Sequence, residues 1–373
     1  MTAQPISKIA LICAGGTGGH IFPGIAVAKG LQSKGWQVEW LGTSGEAVRP
    51  SMESQLVPQQ GFRFHGLPFG GLRGQGVWAK LMLPWRLFLA GRQAWKVILA
   101  VNPGVVLGFG GYPSVPGCLA ARLSGKPTVI HEQNSVPGLA NRLLARWAAA
   151  VFSAFPDAIQ GAVWVGNPLR SAFLTKPDPK MRFEGRTGAL RVFVTGGSQG
   201  ASVFNRVVPQ ALSLLPLANR PIVKHQCGRG NADVVRQVYR GFGLEAEVVD
   251  FVEDPSQAMA DADVVICRAG ASTVTEIAAL GVAAIFVPFP QAVDDHQTGN
   301  ANYLVDQAAG WLMRQDSFDA RRLAEALAGL SRDILLARAV ASFSLAKLGA
   351  TERIVEACEV LLGLPESMDR RDR

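Results

Sequence analysis

A histidine closes the run Gly15-Gly16-Thr17-Gly18-Gly19-His20. Four glycines let a backbone approach a ligand closely, and a neutral imidazole can accept a proton from a hydroxyl. The plain alternative for His20 is a helix cap or a bond to a neighbouring loop. A second polar run, His131-Glu132-Gln133-Asn134, makes Glu132 another candidate base. Four adjacent polar side chains need hydrogen-bond partners or a cleft, so a network that only positions loops is the alternative there. No second histidine follows to complete H-E-x-x-H, so no metal is expected. A third run is Arg268-Ala269-Gly270-Ala271-Ser272-Thr273-Val274-Thr275-Glu276. Its small residues suit a phosphate at a helix start. Glu276 could accept two hydrogen bonds from a ribose diol. Alternatively, Thr273 caps the helix and Glu276 completes a capping box. Asp294-Asp295-His296-Gln297-Thr298 adds donors suited to sugar hydroxyls, and Gly110 to Gly117 reads as a constrained binding loop.

The elements that hold these residues follow from apolar runs. Ile9 to Ala14 reads as a buried strand feeding the first glycine turn, with Ile25, Val27, Ala28 and Leu31 marking a helix after it. Strand-like runs recur at 38–42, 105–108, 128–131, 151–153 and 163–165. The pattern then restarts: Leu190 to Thr195 is followed by Gly196-Gly197-Ser198-Gln199-Gly200-Ala201, which repeats the first turn at an offset of 181. Further runs lie at 222–227, 247–249, 264–267 and 284–287. Alternating strands and helices predict two Rossmann-like α/β domains with parallel sheets, whose sites lie at the carboxyl ends of strands. The boundary is expected at Gly166-Asn167-Pro168, giving domains 1–166 and 167–349, with 175–188 as a loop and a last helix near 351–362.

At 373 residues, 48% hydrophobic and 18% charged, the chain can bury two cores. A net charge of +8 suits an anionic partner. Cys13, Cys118, Cys227, Cys267 and Cys358 lack metal-ligand spacing and read as buried thiols of a reducing compartment. No secretory signal and no membrane-spanning helix is expected, so the protein is expected in the cytoplasm. There is neither a G-x-G-x-x-G fingerprint nor a Walker lysine, which disfavours hydride transfer and ATP hydrolysis. Around Leu81 to Leu89, Trp78, Trp85 and Trp95 interleave with Lys80, Arg86, Arg92 and Lys96. This pattern fits an interface with acyl chains and anionic head groups, or an ordinary packed helix.

Taken together, GGTGGHIFPG (15–24), GGYPSVPG (110–117), HEQN (131–134), GNPLR (166–170), GGSQGA (196–201), CRAGASTVTE (267–276) and DDHQT (294–298) resemble the bacterial peptidoglycan N-acetylglucosaminyltransferases that make the second lipid-linked cell-wall precursor. The resemblance implies a GT-B fold, two Rossmann-like domains around an interdomain cleft, with the C-terminal helix (about 350–373) returning to the first domain. It implies an inverting transfer from UDP-N-acetylglucosamine to undecaprenyl-diphospho-N-acetylmuramoyl-pentapeptide, forming a β-1,4 link, with no cofactor, metal or nucleic acid. The implied donor contacts are Thr17, Gly18, Gly19, Asn134, Arg170, Ser198, Val252, Ala271, Ser272, Thr273, Val274, Thr275, Glu276 and Gln297. Ser198 and Arg268 would stabilise the leaving diphosphate. His20 is the first choice of base and Glu132 the second. The implied location is the cytoplasmic face of the inner membrane, as a peripheral protein held through about Trp78 to Val97 and working beside other cell-wall synthesis proteins. The alternatives are a UDP-sugar 2-epimerase of the same fold and a non-catalytic UDP-sugar-binding protein at the membrane.

Overall fold

The computed structural model describes residues 8–46, 49–68, 83–197 and 200–364. The chain divides into two compact units, Met1–Arg170 with Leu348–Arg373, and Ser171–Lys347.

In the first unit, strands β1 (Ile9–Cys13), β2 (Gln37–Thr43), β5 (Arg63–Leu67), β6 (Val105–Gly108), β7 (Thr128–Glu132), β8 (Ala150–Ser153) and β9 (Val163–Trp164) form one parallel sheet. Its order is β5-β2-β1-β6-β7-β8-β9. A small antiparallel pair, β3 (Gly45–Glu46) and β4 (Arg49–Pro50), stands apart from it. The central strands are covered on both faces and so are apolar throughout. On one face, α1 (Gly18–Ser33) and the returning C-terminal helix bury Ile21, Val27, Leu31, Ile354 and Cys358 with Ile12 and Leu107. Gly30 lets the two helices approach: a Cβ there would lie 2.7 Å from Thr351 Cγ2. On the other face, α3 (Leu83–Val101), α4 (Ser114–Leu123) and α5 (Leu139–Leu144) cover Leu11, Val106 and Ile130. The helix α2 (Met52–Gln59) lies between β4 and β5.

The second unit repeats the plan. Its strands β10 (Arg191–Thr195), β11 (Ile222–Gln226), β12 (Glu247–Val249), β13 (Val264–Cys267), β14 (Ala283–Phe286) and β15 (Gly310–Leu312) pair in parallel, in the order β12-β11-β10-β13-β14-β15. The helices that matter for the site are α6 (Ser202–Ser213), α7 (Ala232–Gly241), α8 (Pro255–Asp261), α9 (Ala271–Leu280) and α10 (His296–Val305).

Three details depart from the sequence reading. β5 and β15 were not expected. Both are edge strands, the first half-exposed and polar and the second three residues long, so neither carries the apolar run that marks a buried strand. The stretch 175–188, expected as a loop, contains a short helix Pro179–Phe183, capped by Asp178 through the Met181 N–H at 3.1 Å. Arg182, within this helix, donates to the carbonyls of Ala260, Leu280 and Gly281, fixing the helix to the unit.

Candidate active site

The first glycine turn follows β1 and opens α1. Thr17 is the N-cap, in extended backbone, and its side chain makes no capping bond. The first turn of α1 contains no acidic residue, so the N–H groups of Gly18 and Gly19 remain donors for an anion. The turn is held from several sides. Gly16 N–H donates to Glu53 Oε1 at 3.3 Å. Glu53, fully buried on α2, also accepts from the Thr43 backbone N–H at 3.2 Å and from the Thr43 hydroxyl. Gly111, with φ of +75°, packs against the backbone of Gly15 so closely that no side chain fits there. Ser114, fully buried, donates to Cys13 O at 2.7 Å and accepts from Gly110 N–H at 2.9 Å, tying the 110–117 loop to the end of β1.

His20 is partly buried, and its Nδ1 lies 2.9 Å from Gln133 Oε1. Gln133 Nε2 is 2.9 Å from the His131 carbonyl and 3.0 Å from His131 Nδ1. His131 Nε2 is 2.9 Å from Gly166 O. Burial pushes the His131 imidazole down from 6.5 to about 4, so that ring is neutral near pH 7.

Glu132 stands differently. One oxygen accepts from Asn134 N–H at 2.9 Å and Asn134 Nδ2 at 3.3 Å. The other accepts from Gly138 N–H at 3.1 Å and Asn141 Nδ2 at 2.9 Å. With 1% exposure and four donors, this carboxylate pins the loop between β7 and α5. Arg170 lies over the Phe22 ring, 5.0 Å from its centroid, at the end of the first unit.

In the second unit, Ser198 lies outside the described residues. The described residue just before it, Gly197, is bonded on both sides. Gly197 N–H donates to Thr195 Oγ1 at 3.2 Å, and Gln226 Nε2 donates to Gly197 O at 3.1 Å. The N-cap of α6 is Ala201, again without a side-chain cap. After β13, α9 begins at Ala271 with Gly270 as N-cap, no side-chain cap and no acid in its first turn. The Thr273–Glu276 capping box, the alternative reading of these residues, is therefore not formed. The helix starts at the glycine, which puts Thr273 and Glu276 inside it. Glu276 and Thr275 are each 8% exposed, Ala271 and Val274 are buried, and Ser272 and Thr273 are partly buried.

Gln297, at the start of α10, accepts through Oε1 from Ala269 N–H at 3.2 Å and Phe289 N–H at 2.9 Å, joining the loops after β13 and β14. Just before it, Asp294 and Asp295 both have positive φ, 52° and 49°, a left-handed conformation that Asp adopts more readily than most non-glycine residues. His296 Nδ1 is 2.8 Å from Val293 O. Arg268 donates to the carbonyls of Val287 and Pro288 and to Gln315 Oε1, so its guanidinium braces the β14 loop. Val252 is buried just after β12 and lines a groove of about 1010 Å³ with Phe251, Tyr239 and Gln257.

Residues 10–153 match the glycosyltransferase family 28 N-terminal domain, and residues 191–354 match its C-terminal domain. A protein of Albidiferax ferrireducens, named UDP-N-acetylglucosamine–N-acetylmuramyl-(pentapeptide) pyrophosphoryl-undecaprenol N-acetylglucosamine transferase, is 55% identical over 350 residues, 94% of this chain and 90% of its own. The crystal structure of MurG from Acinetobacter baumannii superimposes with a TM-score of 0.83 at 37% identity, covering 95% of this chain and 99% of that one. The chain belongs to glycosyltransferase family 28, within its MurG group. This family 28 chain has the expected GT-B architecture, two parallel-sheet Rossmann-like units. A UDP-GlcNAc 2-epimerase from Neisseria meningitidis shares that fold at a TM-score of 0.64 and 12% identity, a likeness of fold alone.

In both units of this glycosyltransferase, nearly all the residues singled out from the sequence stand at carboxyl ends of strands, as parallel sheets dictate. The first unit brings His20, Gln133, His131, Glu132 and Asn134 into one cluster, and the second gathers Ala269 to Glu276 with Gln297. Sequence reasoning missed Glu53 and Asn141 and took Ser114 only as part of the 110–117 loop; all three hold the first cluster in place.

Proposed function

We propose that this chain transfers N-acetylglucosamine from UDP-N-acetylglucosamine to the lipid-linked N-acetylmuramoyl-pentapeptide, with inversion and formation of a β-1,4 link. The observation that carries the reading is His20, fixed through Nδ1 at an uncapped, acid-free helix start. His20 takes the proton of the acceptor hydroxyl while that oxygen bonds to the sugar's anomeric carbon. The carbon–oxygen bond to the diphosphate breaks, and UDP leaves with the electron pair. Glu132 is not the base in this reading, because four donors already occupy its oxygens. Its role is to hold Asn134 for the donor.

The second unit takes the nucleotide. The uncapped starts of α6 and α9 offer N–H groups to the diphosphate, with Ser198 beside the first. Ala271 to Glu276 follow the ribose, with Glu276 accepting from its diol. Gln297 uses its oxygen within the protein, so its amide N–H groups are the part that reaches the sugar. Val252 meets the base through its backbone. Thr17, Gly18, Gly19 and Arg170 complete the set.

The acceptor is a lipid, and the first unit has a surface that suits it. On the adjacent helices α3, α4 and α5, Trp85, Phe88, Leu123 and Leu139 are 55%, 59%, 64% and 71% exposed. The same three helices and the turn after α5 carry exposed Arg92, Lys96, Arg122, Arg142 and Arg146. Apolar tips among cations favour anionic bilayers, which supports a peripheral place on the cytoplasmic face of the inner membrane. Residues 69–82, including Trp78, lie outside the described residues.

The test incubates the full chain with labelled UDP-N-acetylglucosamine and a lipid-linked muramoyl acceptor. Labelled disaccharide-lipid is expected, with UDP released only when the acceptor is present. His20→Ala should lower turnover by about 10²–10⁴-fold with the donor KM nearly kept. Absence of the disaccharide-lipid, or sugar epimerisation without acceptor, overturns the reading.

A further inference from the structure

The hydrogen bonds behind His20 fix which of its nitrogens can act as a base. The Nε2 side of Gln133 lies 2.9 Å from the carbonyl oxygen of His131, which only accepts. That end of the amide is therefore the NH₂ group, and the end facing His20 is the oxygen. An amide oxygen also only accepts, so His20 Nδ1, 2.9 Å away, carries a proton.

The next ring agrees. His131 Nε2 faces Gly166 O at 2.9 Å, so its proton sits on Nε2 and its Nδ1 has a lone pair. That lone pair accepts the second N–H of Gln133 at 3.0 Å. One arrangement satisfies every group: Gly166 O accepts from His131, His131 from Gln133, and Gln133 from His20. Turning the Gln133 amide over would set its oxygen against the His131 carbonyl and the His131 Nδ1 lone pair, two acceptors, so both bonds to His131 would be lost. His131 is 1% exposed and Gln133 is 1% exposed, so water does not offer a substitute.

We infer that Gln133 is a positioning residue of the transfer reaction: it holds His20 in the Nδ1–H tautomer, so that Nε2 is the atom that accepts the proton of the acceptor hydroxyl. The inference rests on the transferase reading above and adds to it the identity of the reacting atom. His20 Nε2 has no partner among the described residues. As Nε2 gains the proton, the ring becomes cationic and the Nδ1–H bond to Gln133 Oε1 strengthens, which favours the charged state as it forms. The proton later leaves from Nε2 to solvent. The other charged groups near the loop are engaged elsewhere: Glu132 with Asn134, Gly138 and Asn141, Glu53 beneath Gly16, and Arg170 over Phe22.

The test has a readout independent of turnover. The chain with ¹⁵N-labelled histidine has five such residues, and the His20 signals are assigned by loss in His20→Gln. In the ligand-free protein at neutral pH, His20 should show a protonated Nδ1 and a bare Nε2. Free neutral histidine prefers the opposite tautomer, so Gln133→Met should move His20 toward Nε2–H. It should also lower kcat about 100-fold with the donor KM changed little. Gln133→Glu keeps an acceptor for Nδ1–H and should retain more activity than Gln133→Met. If Gln133 only filled space, the apolar variant would be tolerated at least as well as the buried acid. A protonated Nε2 in the unaltered chain overturns the inference, as does full turnover in Gln133→Met. If the unaltered chain makes no disaccharide-lipid, the transferase reading fails, while the spectrum still decides the tautomer.

Discussion

Gly110 faces the imidazole of His20, and its φ is +93°. A Cβ at this position would lie 3.0 Å from both Nδ1 and Cε1 of the ring, tighter than an ordinary contact. Gly110→Ala therefore does two things: it strains the backbone by roughly 1–2 kcal/mol, and it pushes the ring off Gln133. Gly35 provides the comparison. Its φ is +78°, with nothing near its missing Cβ. Both variants should lose stability through backbone strain, read as a fall in Tm that is at least as large for Gly110→Ala, but only Gly110→Ala should lose turnover, by about 10-fold or more. Equal turnover in the two variants would show that the ring's position does not matter. The glycines and the histidine of the Gly15–His20 turn were legible in the sequence because a glycine run after an apolar strand marks a close-approach turn and a titratable ring closes it. The allocation of roles was not. His20 and Glu132 were both candidate bases by residue type, and the difference lies in four bonds that saturate one and leave Nε2 of the other open. Glu53 was invisible because its partner Gly16 is 37 residues away, and an acid in a short helix reads as solvated.

Each sheet carries one buried histidine: His131 on β7 and His225 on β11. Burial pushes both down from 6.5 to about 4, and the Tyr239 hydroxyl lies 2.9 Å from His225 Nδ1. In the unfolded chain each would titrate near its ordinary value. Between pH 6.5 and 4 the unfolded state thus binds more protons, so stability is full above pH 6.5 and is lost as pH falls through this window. At pH 5 the loss is roughly 2 kcal/mol for each group, one in each unit. Urea unfolding followed at pH 7.5 and pH 5 should show lower midpoints at pH 5 in both units. Replacing His225 with Gln should remove part of the difference for the second unit alone, and midpoints indifferent to pH would contradict the argument. Most strands were legible because interior strands of parallel sheets are apolar on both faces. The edge strand Arg63–Leu67 escaped because it is half-exposed and polar, with Leu67 its one buried residue, and the edge strand Gly310–Leu312 escaped because three residues are too few to show an apolar run. Both errors come from features that are set by tertiary surroundings rather than by local residue type.

The whole molecule is electrically lopsided. The first unit holds 19 Lys and Arg against 11 Asp and Glu, and the second holds 18 of each, so the entire formal charge of +8 belongs to the first. From Ser54 to Pro156 the only acidic residue is Glu132, which is buried and fully bonded to its own loop. A soluble surface needs charge of some sign, but it does not need this exclusion of acids around a set of exposed Trp, Phe and Leu side chains. A surface that meets anionic head groups does, since each basic residue near it contributes about 1 kcal/mol and each acid would subtract a similar amount. The apolar tips contribute separately, by burial below the head groups, and do not depend on lipid charge. The two contributions can therefore be parted by flotation of the full chain with vesicles. Binding should be strong to phosphatidylglycerol-containing vesicles, weak to phosphatidylcholine alone, and reduced by 0.5 M salt. Arg142→Glu with Arg146→Glu should weaken binding to the anionic vesicles by about 100-fold or more and leave the weak neutral binding unchanged. Trp85→Ser with Phe88→Ser should weaken both, and should lower transfer to a bilayer-embedded acceptor more than to the same acceptor in detergent. Equal affinity for the two vesicle types would mean that the charge asymmetry serves solubility, and the membrane reading of the α3–α5 surface would fall with it.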